Sequence, residues 1–371
     1  MEKRQLGKTG LEVSLLGFGG YHLVEIPTKE ARELLNYYLD QGGNYLETAS
    51  EYGDGESERK LGPVVAERRD EIVLASKSYY REKEKANADL ERTLTNLQTN
   101  YLDVWFMHHV EDMEQLEKIF SPGGAMEAAR EAKEAGKIKN IGISMHGQPD
   151  VLIEALKRDA FDVVMATFNY FDRCNFPKLE GELLSLAQEK DVGVVLMKPL
   201  ADGFLWRSAE QAFRYSFSLP VSVVVTGMNT MDMLQTDLDY ANNYKPMSEK
   251  DVENLLENAS ELGNYICRQC DQCFTCPDGT EIKEIFKLEG YYDRQLWDGK
   301  PRNPEKYALR DRIRFWFGND DKAKSLYKEL NVDIEMSIQA VEGKDFCPYN
   351  LPIVEKLKIA HYKLGEDDSL F

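Results

Sequence analysis

Asn44-Tyr45-Leu46-Glu47, Glu71-Ile72-Val73-Leu74-Ala75-Ser76-Lys77 and Leu102-Asp103-Val104-Trp105-Phe106-Met107-His108 are short apolar runs, each closed by an ionisable side chain. Runs of this length with flanking polar residues read as buried β-strands. A carboxylate, an amine and an imidazole are costly to bury and add little to a core. At the carboxyl ends of parallel barrel strands, however, such groups build active sites. Tyr52 follows the first run closely. Glu47, Tyr52, Lys77 and His108 therefore form a candidate catalytic set. Its chemistry is that of a phenol acid whose pKa an adjacent ammonium lowers.

Outward from these runs, strand and helix alternate over residues 1–245. A hairpin is predicted over Met1 to Ser14, turned at Gly7-Lys8-Thr9-Gly10. Strands are predicted over 15–19, 44–48, 72–77, 102–108, 138–144, 163–168, 192–198 and 221–226. Helical patterns fall at 28–40, 56–68, 85–97, 125–135, 149–157, 179–189, 209–217 and 232–242. This series of eight βα units predicts a (β/α)8 TIM barrel. An open doubly wound sheet is the alternative, but no Gly-x-Gly-x-x-Gly opens a helix after the first strand.

The pattern changes after Tyr244-Lys245-Pro246, so residues 246–371 are read as a second, mainly helical unit. Helices are predicted over 248–262 and 323–330. Residues 291–318 are rich in charge and aromatics, and Pro301 and Pro304 interrupt them. Between these lies Cys267-Arg-Gln-Cys270-Asp-Gln-Cys273-Phe-Thr-Cys276-Pro277. Thiolates at every third residue can wrap a compact cluster, and the bacterial ferredoxin run has nearly this spacing. Cys347-Pro348 is a second Cys-Pro pair. The three cysteines that would complete a second set are replaced by Ser337, Ala340 and Gly343. The spacing predicts one [4Fe–4S] cluster, held by Cys267, Cys270 and Cys273 with Cys347, or with Cys276 in its place. Zinc usually takes two Cys pairs a dozen or more residues apart. Cys174 reads as a packed thiol.

The formal charge of −19 has no long basic run to offset it. That argues against nucleic acid and anionic membrane as partners. No apolar stretch is long enough to span a bilayer, and no apolar signal follows Met1-Glu2-Lys3-Arg4-Gln5. A cytoplasmic protein is expected, with its six cysteines as thiols or metal ligands.

Taken together, these stretches resemble the aldo/keto reductases, in the branch fused to a ferredoxin-like iron–sulfur segment. The resemblance runs from Leu6-Gly7-Lys8-Thr9-Gly10-Leu11-Glu12-Val13-Ser14 to Cys347-Pro348-Tyr349. It includes Leu16-Gly17-Phe18-Gly19-Gly20, Thr48-Ala49-Ser50-Glu51-Tyr52-Gly53, Ala75-Ser76-Lys77, Ile141-Gly142-Ile143-Ser144 and Met197-Lys198-Pro199-Leu200. It implies carbonyl reduction, or alcohol oxidation, by nicotinamide hydride transfer on a small substrate. Tyr52 is then the acid, Lys77 its modulator and His108 the carbonyl-orienting residue. Glu47 stands where the family has aspartate. The dinucleotide positions carry over to Ser144, Asn169, Lys198, Gly227 and Met228. Met145 and Met165 replace the usual amides, and Met197 falls where many members stack a tyrosine. No Lys or Arg lies between Gly227 and Asn243, while Asp232, Asp237 and Asp239 do. NADH is thus expected to serve at least as well as NADPH. Two other readings use the same residues. One is electron transfer from a redox protein partner through the cluster into the barrel. The other is a non-catalytic interaction protein with a structural cluster. His109 and His146 flank the set, and Trp105, Trp206 and Phe171 are expected to be packing residues.

Overall fold

The computed structural model describes residues 1–146, 149–273, 275–276, 279–296, 320–344 and 347–365. The predicted hairpin pairs β1 (Lys3–Gln5) with β2 (Glu12–Ser14) in antiparallel register. Eight strands follow: β3 (Leu16–Gly19), β4 (Tyr45–Glu47), β5 (Val73–Ser78), β6 (Leu102–Met107), β7 (Ile138–Ser144), β8 (Val163–Thr167), β9 (Gly193–Met197) and β10 (Val223–Gly227). They pair in parallel and in chain order, and β10 closes on β3. The (β/α)8 barrel is therefore as expected.

Side chains alternate across a strand, so every second residue faces the barrel axis. The interior cluster holds Tyr45 of β4, Val73 and Ala75 of β5, Val104 and Phe106 of β6, and Val195 and Met197 of β9. Continuing the alternation puts Glu47, Lys77 and His108 next on the same inward face. At β7 the inward position is Gly142, where a Cβ would meet the Phe106 ring at 2.3 Å. The hairpin contributes Leu6 and Val13 to this cluster, and the Lys8 amide bonds Asp191 O at 2.8 Å. One end of the barrel is thereby plugged, and the polar residues sit at the other.

The outward faces of the strands pack on the surrounding helices, with Leu46, Leu74 and Trp105 in one apolar layer. Most helices fall where periodicity placed them. Within the barrel, Met113–Phe120, whose Asp112 side chain accepts from the Gln115 amide, and the short Asp172–Asn175 were not expected. The run over 179–189 begins with a π-helical turn, Leu179–Leu183, before Leu184–Glu189.

Beyond the barrel, Glu249–Asn258 carries a capping box between Ser248 and Asp251. It ends earlier than expected because Ala259 leaves the helical region. Val252, Leu255 and Leu256 lay this helix against an apolar cluster that includes Leu205, Ala212 and Tyr215. Further helices are Ile282–Leu296, Asp320–Leu330, Ile334–Val341 and Ile353–Leu364. Most of the aromatic, charged stretch 291–318 lies outside the described residues. No described helix is long and apolar enough to cross a membrane.

Candidate active site

A cavity of about 440 Å³ opens at the carboxyl ends of the strands. Glu47, Tyr52, His108, His109, His146, Lys198 and Gly227 line it. Lys77 lies beneath this lining and is almost fully buried. Its Nζ is 2.9 Å from Tyr52 Oη and 3.0 Å from Thr48 O. It also forms an ion pair with Glu47 Oε1. The extra methylene of Glu47 thus still allows the carboxylate to reach the amine. The Tyr52 and His108 rings meet edge to face, with centroids 5.9 Å apart. The strands supply Glu47 and Lys77, the turn after β4 supplies Tyr52, and His108 follows β6.

The expected lowering of the Tyr52 pKa is not what this environment gives. Burial pushes the phenol up, and Glu51 and Tyr21 add to the shift. Burial also holds Lys77 well below the usual amine range. Desolvation penalises both ionised forms. Tyr52 is therefore a protonated phenol at rest. The Lys77 amine stands as a hydrogen-bond donor against its oxygen. His108 is held well below the usual imidazole range by burial, then by Lys77, His109 and Arg81.

The dinucleotide positions are less well gathered. Gly227 lines the cavity, and a Cβ there would meet the His22 ring at 2.1 Å. Lys198 lines it as well, but its Nζ pairs with Asp202 Oδ1 at 2.7 Å. Asn169 follows β8. Its amide bonds Asp172 Oδ2 at 2.8 Å and Lys198 O at 3.0 Å, while its Oδ1 accepts from the Asp172 amide. Those bonds commit the side chain to shaping the loop. Ser144 Oγ accepts from the His109 amide at 3.1 Å, and Met228 is fully buried. Neither Ser144, Asn169 nor Met228 is among the residues lining the cavity. Met165 and Met197 line it, as does Asp237, whereas Asp232 and Asp239 do not. Burial pushes Asp237 up to about 7.

Glu51 was missed as a site residue. Its Oε2 lies 3.0 Å from His108 Nδ1, and its Oε1 accepts from the Tyr79 amide at 3.0 Å. Its place between Ser50 and Tyr52 was a signal that the sequence offered. Trp105 is buried as expected, and Phe171 packs on Phe204 with centroids 4.5 Å apart. Trp206 is instead exposed.

In the cysteine segment, burial and then the charges of neighbouring thiols push Cys267 up to about 11 and Cys273 up to about 12. The thiols acting on Cys273 are Cys267, Cys270 and Cys347. Cys276 is buried within the apolar core, as is the separate thiol Cys174. Buried Arg268 donates to the carbonyls of Leu256, Leu262, Gly263 and Ile266 and so fixes the segment's start. Among the described residues, no three His, Cys, Asp or Glu side chains converge on a single-ion site.

The aldo/keto reductase family model matches residues 15–259, which stops short of Cys267. An uncharacterized oxidoreductase of Bacillus subtilis, YqkF, is 31% identical over 69% of this chain and 83% of its own length. L-galactose dehydrogenase of Arabidopsis thaliana is also 31% identical, over 55% of this chain and 67% of its own. Among solved structures, the holo form of aldo-keto reductase AKR11C1 from Bacillus halodurans superposes with a TM-score of 0.60 and 27% identity. That match covers 69% of this chain and 95% of the other. With the barrel, the site and these likenesses in agreement, the chain belongs to the aldo/keto reductase family and is an oxidoreductase of that family.

Proposed function

We propose that the protein reduces a small carbonyl compound, or oxidises the matching alcohol, with a nicotinamide nucleotide as hydride carrier. The observation that carries this reading is the Glu47–Lys77–Tyr52 line at the floor of the cavity. The cavity volume lies within the usual range for small-molecule sites, roughly 300–1,000 Å³. Gly227 leaves open a wall that any side chain would fill. When bound, the nucleotide supplies the hydride. Tyr52 Oη gives its proton to the carbonyl oxygen, and Lys77 Nζ meets the charge left on the phenol oxygen. Glu47 holds the amine in place. No cation lies between Gly227 and Asn243, which favours NADH over a 2′-phosphorylated form.

Residues 246–371 complete the reading as a unit carrying one [4Fe–4S] cluster. Cys267, Cys270, Cys273 and Cys347 are its ligands, and Cys276 is the rival fourth. The Cys-x2-Cys-x2-Cys spacing and the distant Cys347-Pro348 pair support this set. A cubane spreads its thiolates over four irons, so a single-ion geometry is not required. A second reading also has a specific observation behind it. Cys267 borders a cavity of about 200 Å³ whose other wall includes Phe171 and Phe204 from the barrel loops. That contact suits electrons from a protein partner entering through the cluster.

Fluorescence titration with NADH and NADPH at fixed salt, followed by NADH consumption on an aldehyde panel, tests the proposal. NADH is expected to bind at least as tightly as NADPH and to be oxidised. Absence of binding by both would overturn the nicotinamide reading in favour of the partner-fed one. A clear NADPH preference would overturn the argument from the missing cation between Gly227 and Asn243.

A further inference from the structure

The cavity of about 200 Å³ lies apart from the active cavity, where the tail helix Ile282–Leu296 meets the loops after β8 and β9. We infer that it is a second small-molecule site, built for a neutral single-ring aromatic compound with donor and acceptor on one group, the chemistry of a phenol. This inference does not rest on the carbonyl-reductase reading.

Asn175 supplies the polar anchor. It ends the short helix Asp172–Asn175 and is only 4% exposed, yet it lines the cavity. Among the described residues, its side-chain amide has no hydrogen-bond partner. The next residue, Phe176, stacks on Tyr291 with centroids 4.5 Å apart, which brings Asn175 against Gly290. A Cβ at Gly290 would meet Asn175 Oδ1 at 2.3 Å, so only glycine leaves the amide its place. A buried amide without a partner is destabilising. It offers both N–H donors and a carbonyl acceptor, and a hydroxyl can answer either.

The rest of the wall sets the body and the charge of the ligand. Phe171 and Phe204 line it together with Tyr265 and Phe286. Four aromatic rings suit a flat apolar body. An apolar cavity of about 150 Å³ holds benzene, so this one takes a substituted ring. The charged groups in the wall are already matched. Lys356 pairs with Glu289, and its Nζ lies 3.8 Å from the centroid of the Tyr265 ring. Lys363 spans Glu289 at 2.9 Å and Asp293 at 2.8 Å. A charged ligand would find no spare counter-charge here, and its desolvation would go uncompensated. Of the five cysteines proposed as cluster ligands, Cys267 alone is in the wall, so this is not the space that the set would enclose. The loop that carries Phe204 also gives Leu200, Asp202 and Gly203 to the active cavity, so an occupant touches the partition between the two.

Calorimetric titration of the anaerobically prepared full chain with phenol, toluene and benzoate tests this, on wild type, Asn175→Leu and Phe204→Trp. Phenol is expected to bind the wild type with a Kd below ~1 mM, and benzoate at least ~10-fold more weakly. Asn175→Leu should weaken phenol by at least ~10-fold and leave toluene unchanged or tighter. Phe204→Trp, whose indole fills the space, should weaken both. Melting profiles establish that each variant folds, and if Asn175→Leu does not, Phe204→Trp decides. No phenol binding in the millimolar range overturns the inference. Wild-type phenol affinity in either folded variant overturns it too, because phenol then sits elsewhere. Benzoate bound as tightly as phenol refutes the neutral class.

Discussion

At the scale of single residues, burial sets the protonation of the cavity's side chains. Tyr52 is held protonated and Lys77 is pushed toward its neutral form. Asp237 shows how this appears in stability. Its folded pKa is raised to about 7, and the unfolded value is about 3.9. Between those values the folded state binds more protons than the unfolded state. Stability from this group is thus fully present below pH ~4 and is lost as pH rises to about 7. Asp237→Asn should remove that slope, so its melting temperature should fall less than the wild type's between pH 5 and pH 8. Parallel melting profiles would contradict the assigned shift. Glu47, Lys77 and His108 were legible because they end inward-facing alternations. Glu51 and the Lys198–Asp202 pair were not. Loop geometry creates those contacts, and no periodicity encodes it.

At the scale of elements, strands and long helices were readable from their apolar spacing. The helix Met113–Phe120 was missed although Asp112 signalled its start. In the tail, buried Glu289 joins Ile282–Leu296 to Ile353–Leu364 through Lys356 and Lys363. Such a partnered buried carboxylate ties two segments far apart in sequence, which spacing alone does not reveal. It also lets the proposed cluster ligands be tested without dismantling the tail. Anaerobically prepared protein should hold about four irons per chain, from one cubane. Cys347→Ala should lose the cluster and Cys276→Ala should keep it, with Ile353–Leu364 still docked in both. Eight irons in the parent would refute the count, and an intact cluster in Cys347→Ala would refute the ligand set.

At the scale of the whole molecule, the hairpin plugs one end of the barrel, so the chemistry is confined to the other. The family match covers that barrel, and the cysteine segment beyond it presses Cys267 toward loops that shape the site. Whether hydride chemistry or cluster-fed electrons dominate, the central claim is that the barrel delivers a proton from Tyr52. The most direct measurement is kcat/KM for NADH-dependent carbonyl reduction by wild type and Tyr52→Phe, with nucleotide binding and melting recorded on the same preparations. The account predicts a loss of at least ~100-fold with both binding and melting retained. A folded, nucleotide-binding Tyr52→Phe enzyme with wild-type kcat/KM would contradict it.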